Sequence, residues 1–207
     1  MLRIMKNKSD NHFLPFYNIA GRPVEKLSSR ARYARQTDPK VTIVQVSRPG
    51  QISQVKTLMR SFVEWLYTRY QDCPWFIDGY FNRQNFEAEL ASLPGAYASP
   101  AGRLLLATCQ GKAAGCVALR SLDKATCELK RMYVRPEFHG RGIGKKLAAM
   151  LVGQARKIGY RRILLDTGRK QIEAYRLYRS LGFCCIEPCY EVPLKQREML
   201  LFMALDL

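Results

Sequence analysis

The first strong pattern along the chain is β-branched. Val41-Thr-Ile-Val-Gln-Val-Ser47 predicts an opening strand. Pro49 then stands where a helix can begin, and Ile52, Val55, Leu58, Met59, Phe62, Val63 and Leu66 recur on one helical face. Asp72-Cys-Pro74 breaks that helix, and a weaker one is predicted from about Asp78 to Leu93, ending at Pro94-Gly95. Arg103 to Cys109 and Ala113 to Leu119 flank Gln110-Gly-Lys112 as the arms of a hairpin. A strand over Thr126 to Val134 leads into a helix carrying Ile143, Leu147, Met150, Leu151 and Ile158 at helical spacing. A strand at Arg162 to Thr167 and a helix from about Gln171 to Leu181 follow, with Gly182 placed to end the helix as a left-handed cap. Strands near Phe183–Tyr190 and Met199–Asp206 close the chain. The predicted order is β-α-α-β-β-β-α-β-α-β-β, an α/β (α+β) arrangement.

Composition narrows the setting. The chain has 207 residues with 47% hydrophobic content, enough for one domain with a real core. No apolar run approaches the ~18–20 residues of a membrane span, which predicts a protein without a membrane partner. Seven cysteines stand without paired metal-ligand spacing, so a reduced cytoplasmic setting and no metal site are expected. Cys184, Cys185 and Cys189 are expected to be strand residues of the core. Residues 1–40 hold nine basic residues against three acids with no sustained period, and are expected to form a basic N-terminal extension before a domain over residues 41–207. A formal charge of +17 favours anionic partners without choosing among nucleic acid, lipid and a polyanionic cofactor.

One stretch changes the picture. The strand ending at Val134 runs through a proline into a loop with glycines at 140, 142 and 144, and a helix starts at once. Glycine lets a ligand approach the backbone, and a helix N-terminus offers unpaired N–H donors with a partial positive charge. Together they are built to hold phosphate or pyrophosphate, and Arg141, Lys145 and Lys146 reinforce the sign. A P-loop would need Gly-x4-Gly-Lys-[Ser/Thr]; position 139 is His and Lys146 replaces the hydroxyl residue. The dinucleotide fingerprint Gly-x-Gly-x-x-Gly is missed by one residue.

His139-x-x-Gly142-x-Gly144 resembles motif A of the GNAT superfamily of acetyl-CoA-dependent N-acyltransferases, [Gln/Arg]-x-x-Gly-x-[Gly/Ala], with His139 where the family carries Gln or Arg. Ala174-Tyr-Arg-Leu-Tyr178-Arg-Ser-Leu-Gly-Phe183 looks like the family's Asn-x-x-Ala-x-x-Leu-Tyr-x-x-x-Gly-Phe, with Gln171 in place of Asn. The predicted element order is also the family's. The resemblance covers residues 41 to 207 and implies a GNAT fold: a central mixed, mostly antiparallel sheet, splayed between its fourth and fifth strands and flanked by helices. It implies acetyl-CoA as co-substrate, bound by backbone groups of Met132, Tyr133 and Val134 and by the loop His139, Gly140, Arg141, Gly142, Ile143, Gly144 and Lys145, with Gln171 nearby.

Acetyl transfer from a thioester to an amine requires deprotonation of the amine, stabilisation of the oxyanion and protonation of the thiolate. Glu128, inside a strand between Cys127 and Leu129, is the candidate base, against a structural pairing with Lys130 or Arg120. Tyr178 is the candidate acid on the strength of the resemblance; its spacing alone fits a core tyrosine equally. With no nucleophile beside a base in evidence, direct transfer in a ternary complex is expected.

The acceptor is expected to be a small cationic amine, or the amine of an amino acid or peptide. Residues 61–90 carry five acids against two bases and many aromatic residues, which suits a cation pocket built on Asp72 and Asp78. Alternatives are an acetyltransferase acting on aminoacyl-tRNA or on a protein lysine or N-terminus, a non-catalytic acetyl-CoA-binding protein, and a basic nucleic-acid-binding module. A nucleic acid partner is thus not favoured, and a homodimer is left open.

Overall fold

The computed structural model describes residues 40–207. The basic extension expected over residues 1–40 lies, apart from Lys40, outside the described residues.

Seven strands form one sheet in the order β1-β2-β3-β4-β5-β7-β6. They are β1 (Val41–Gln45), β2 (Arg103–Cys109), β3 (Lys112–Ser121), β4 (Thr126–Val134), β5 (Arg162–Gly168), β6 (Cys184–Ile186) and β7 (Leu200–Asp206). All neighbours are antiparallel except β4 and β5, which run parallel. Their pairing spans only Thr126–Glu128 against Arg162–Leu164. Beyond that point β4 and β5 share no ladder, whereas β5 pairs with β7 along all of Arg162–Gly168. The sheet is therefore open on one end between β4 and β5, as the resemblance implies.

Side-chain alternation divides the core in two. Along β2, Leu104 and Leu106 face one layer while Leu105 and Ala107 face the other. The first layer is covered by α1 (Pro49–Arg69), α2 (Pro74–Tyr80) and α3 (Arg83–Ser92). Pro49 occupies the first turn of α1, and the Gln51 side chain accepts from the Arg48 N–H at 3.1 Å. Val55, Leu58, Met59 and Leu66 are buried from this helix. The second layer is covered by α4 (Ile143–Ile158) and α5 (Ile172–Ser180). Ile143, Leu147, Leu151 and Ala155 of α4 are fully buried there, each of the larger ones contributing about 1.5–3 kcal/mol of burial. Gly182 follows α5 with φ +93°, the left-handed geometry its position predicts.

Three local expectations are corrected. The single helix expected over Asp78–Leu93 is two helices, because Asn82 caps α3 by accepting from the Asn85 N–H at 3.1 Å. A short α6 (Leu194–Arg197) interrupts the segment before β7. Cys184, Cys185 and Cys189 are exposed rather than core residues. Cys184 and Cys185 stand on β6, a three-residue strand at the edge of the sheet, and Cys189 follows it in a loop.

Candidate active site

A groove of about 330 Å³ runs along the free end of β4. Met132, Tyr133 and Val134 form one wall, and Gln171, Ala174 and Leu177 of the β5–α5 side form the other. His139, Gly140, Gly142, Ile143 and Gly144 close one end. Gly142 has φ +69°, a left-handed geometry that turns the chain into α4, and a Cβ placed there would meet nothing within 4 Å. Its restriction is thus backbone geometry and not crowding, and the space above it is open to a ligand. The first bond of α4 runs from the Lys146 N–H to the Gly142 carbonyl at 3.0 Å, so the amides just before it lack helical partners. An open, glycine-surfaced helix end with outward donors and a positive dipole fits a pyrophosphate.

The side chains of this loop have differing placements. His139 Nε2 lies 2.8 Å from the Val134 carbonyl oxygen; that nitrogen must carry the proton, and the contact braces the loop on the strand end. Arg141 turns to the Cys109 sulfur at 3.8 Å and lies over the Phe138 ring at 5.5 Å, away from the groove wall. Lys145 is exposed beside the helix start without lining the groove. Gln171 Oε1 accepts from the Gly168 N–H at 2.7 Å and from the Thr167 hydroxyl at 3.3 Å, which fixes it at the top of α5.

Met132, Gln171 and Ala174 also line a narrower hollow of about 60 Å³ where β4 and β5 part. Its further walls include Tyr178, Asp166 and Tyr80. The ladder between β3 and β4 slips here: Ala118 faces Lys130 and Cys116 faces Tyr133, so two β4 residues oppose one of β3. Arg131 at this bulge has φ +56°. Such a conformation costs about 1–3 kcal/mol, so the surroundings must enforce it. Arg131 Nε bonds Glu89 at 2.8 Å, a terminal nitrogen takes the other carboxylate oxygen, and the guanidinium lies 4.7 Å over the Phe81 ring. A bulge leaves an extra residue outside the ladder, and this one borders the hollow. Tyr178 is buried against Phe183. Burial pushes its phenol well above its usual range, and the charge of Asp166 adds to that, so it stays protonated at neutral pH.

On the far side the walls Tyr80, Lys130, Arg131 and Leu200 are shared with a second hollow of about 430 Å³, open towards β3 and the segment after β6. Its charged groups form a network. Glu128, 5% exposed, accepts from Arg120 Nε at 2.6 Å and from Lys130 Nζ at 3.2 Å. Lys130 Nζ also lies 3.4 Å from Asp166 and 3.3 Å from the Tyr80 hydroxyl. Tyr80 donates to Asp166, and Tyr190 does so from the other side at 3.1 Å. Burial pushes the Lys130 ammonium down, but the carboxylates of Asp166 and Glu128 outweigh it, so its pKa is raised and it stays charged. Burial and Asp166 push the phenols of Tyr80 and Tyr190 up. At neutral pH Lys130, Tyr80 and Tyr190 therefore all keep their protons.

Most of the residues singled out in the sequence thus line three adjoining cavities, and Arg141 and Lys145 line none of them. Met132, Tyr133, Val134, His139, Gly140, Gly142, Ile143, Gly144 and Gln171 line the groove, Tyr178 lines the hollow between β4 and β5, and Glu128 lines the hollow beyond. Asp72 and Asp78 join none of these walls, which corrects the cation pocket expected from them. Asp72 is paired with exposed Lys170, and Asp78 accepts from the Tyr67 hydroxyl at 2.6 Å. The aromatic half of that expectation holds, since Phe76, Tyr80 and Phe81 do border the hollow. Sequence reasoning missed Asp166 and Tyr190 as site groups, and had Arg120 and Lys130 only as structural partners of Glu128. A usable signal existed for Asp166, a lone acid inside the apolar run Ile-Leu-Leu-Asp-Thr.

Comparison with known proteins agrees with this geometry. The structure resembles the PaiA N-acetyltransferase of Thermoplasma acidophilum, crystallised with coenzyme A, with a TM-score of 0.62 at 18% identity over 81% of this chain and 99% of that one. The sequence is 40% identical over 113 residues to an uncharacterized N-acetyltransferase of Schizosaccharomyces pombe, covering 54% of this chain and 69% of the relative. It is 36% identical over 97 residues to the N-acetylaspartate synthetase of Danio rerio, covering 46% of this chain and 34% of that protein. The Acetyltransferase (GNAT) family model matches residues 59–183, which hold the glycine loop and both halves of the splayed site. The chain belongs to the GNAT acetyltransferase family, acyltransferase enzymes whose co-substrate is acetyl-CoA.

Proposed function

We propose that this protein transfers an acetyl group from acetyl-CoA to a primary amine, directly and within a ternary complex. The observation that carries this is the succession of adjoining cavities, from the glycine-loop groove through the hollow at Tyr178 to the hollow lined by Glu128. Bound acetyl-CoA supplies an activated thioester. The open amides before Lys146 hold its pyrophosphate, and β4 from Met132 to Val134 guides its arm towards the parting of β4 and β5. Acceptor enters from the opposite side.

Glu128 takes the proton of the incoming ammonium through water. It is preferred over Asp166 because it borders the acceptor hollow, whereas Asp166, its side chain 2% exposed, lines only the narrower hollow and is held there by Lys130, Tyr80 and Tyr190. The backbone outside the ladder at the Arg131 bulge is positioned to meet the thioester carbonyl. As the new C–N bond forms and the C–S bond breaks, protonated Tyr178 gives its hydroxyl proton to the departing sulfur, and the second proton of the acylated nitrogen returns to the tyrosinate through water, leaving the neutral amide and the free thiol.

The acceptor class is an amine of a small molecule, an amino acid or a peptide, and the name of the Danio relative supports an amino acid as one such acceptor. The test is a panel of amine acceptors with acetyl-CoA, following free CoA thiol. Release that depends on a particular acceptor is expected, and no release with any amine would overturn the proposal.

A further inference from the structure

The acceptor hollow has a charge arrangement that selects among amines. Its wall groups Glu128, Lys130 and Arg120, with Asp166 behind Lys130 in the narrower hollow, are together neutral. Arg131 is neutralised by Glu89, and Glu191 stands on the exposed rim, where water screens it. A cationic acceptor entering such a site brings one uncompensated charge out of water, which is costly. A neutral zwitterion does not.

Arg120 is the group that distinguishes the two ends. It stands on β3 directly opposite Glu128 on β4, and it uses only Nε on that carboxylate, at 2.6 Å. Its two terminal nitrogens have no partner among the described residues, and its side chain, 43% exposed, lines both this hollow and a neighbouring one beside α3 and Tyr97. A guanidinium with free terminal nitrogens is the side chain best shaped for a carboxylate, which it can take through two parallel bonds. Glu128 and Lys130 are two residues apart on β4, a rise of about 7 Å, and Lys130 borders the hollow where the thioester is expected. A short molecule can therefore place its amine beside Lys130 and Tyr80 and its anionic end at Arg120.

Resting on the proposed transferase function, we infer that the acceptor is an amine carrying a carboxylate a few bonds away, held by the outward nitrogens of Arg120. Arg120 is then a specificity-determining residue. Its Nε orients Glu128, and its terminal nitrogens read the acceptor.

The experiment compares free amino acids, the matching amino acid amides and simple diamines as acceptors for the wild-type protein and Arg120→Lys. Lysine keeps the charge beside Glu128 and loses the fork. A charge-assisted pair lost at the acceptor corresponds to about a ten- to hundredfold change. The expected result is that amino acids have kcat/KM higher than amides by that factor, and that Arg120→Lys collapses this acid-over-amide ratio towards one, whatever it does to the rate that all acceptors share, with the KM of acetyl-CoA retained. Calorimetric binding of N-acetyl amino acids to the CoA-loaded protein provides a readout without turnover, and should weaken equally in the variant while N-acetyl amino acid amides bind weakly to both. Amides or diamines used as well as acids, or acid binding untouched by Arg120→Lys, would overturn the inference while leaving the transferase function standing. Absence of CoA release with every amine would sink the transferase function, and the calorimetry would still decide whether carboxylates are read at Arg120.

Discussion

The two sides of the splayed sheet are built from different materials. On the cofactor side, the groove is surfaced by strand backbone, three glycines and the open end of α4. On the acceptor side, the hollow is surfaced by Arg120, Glu128, Lys130, Tyr80 and Tyr190, a side-chain network completed by Asp166 from the narrower hollow. Backbone donors recognise a pyrophosphate whatever the neighbouring side chains are, so substitutions there act through chain geometry. Side-chain groups must each be in the right protonation state and orientation, so substitutions on the other side act through chemistry.

The largest separation of the two comes from Tyr178, which sits where the sides meet. As proton donor to the leaving sulfur it acts in the transition state, and Tyr178→Phe should lower kcat by about 10²–10⁴-fold with little change in KM. Its raised pKa has a signed consequence. The phenol stays protonated beyond the usual tyrosine pKa of about 10, so the wild-type rate should not fall between about pH 8 and 10. Steady-state kinetics across that range provide the check; wild-type kcat in a folded Tyr178→Phe variant, or an alkaline fall below about pH 9, would return Tyr178 to packing alone.

Glu128 should show the next largest effect. As base through water it gives a rate that rises with pH, and Glu128→Gln should flatten that limb and lower kcat by about 10²-fold or more. The variant also leaves Arg120 and Lys130 without their shared carboxylate, so acetyl-CoA binding is measured alongside to separate lost chemistry from a lost fold. An unchanged pH profile with intact binding makes the carboxylate purely an ion-pair partner.

Gly142 probes the backbone side. A ligand at ~100 times its dissociation constant stabilises by roughly 2.7 kcal/mol, which for a domain of this size is a melting shift of about 5–10 °C. Gly142→Asp puts a side chain on a residue with φ +69° and a negative charge at the helix end, and should abolish the shift. A full acetyl-CoA shift in this variant would move the pyrophosphate elsewhere.

The same contrast explains what could be read from the sequence. Gly140, Gly142 and Gly144 lie within five residues, and the strand before and helix after them carry strong periodic patterns, so local order alone places the groove. The splay between β4 and β5 followed from the family resemblance carried by two local motifs. The acceptor network joins Tyr80 on α2, Arg120 on β3, Glu128 and Lys130 on β4, Asp166 on β5 and Tyr190 after β6. The pairing of Glu128 with Arg120 and Lys130 was legible, since it follows from the β3–β4 register and the spacing along β4. No local pattern relates Tyr80, Asp166 and Tyr190 to them; these join only through the tertiary fold. The exposed Cys184 and Cys185 make the same point: their strand was legible, but its position at the sheet edge was not.

The smallest effect is expected where the sequence alone suggests a large one. Residues 61–90 reverse the sign of an otherwise basic chain, and a cation pocket built on Asp72 and Asp78 predicts a raised acceptor KM when both are neutralised. The structure uses these acids differently. Asp72 faces solvent and holds Lys170, whose salt bridge and hydrogen bond draw the carboxyl below its usual range, so it is a solvated surface pair. Asp78 follows the aromatic residues of α2 but turns outward to the Tyr67 hydroxyl, and neither acid borders the hollows that Tyr80 and Phe81 enter. Helical geometry is the reason: Asp78 and Tyr80 are two residues apart on α2, about 200° around the axis, so one faces the site only if the other faces away. Asp72→Asn combined with Asp78→Asn should therefore leave KM and kcat for the best acceptor within about twofold of wild type. A severalfold rise in KM for cationic amines alone would restore the pocket to α2 and weaken the case for a carboxylate-bearing acceptor.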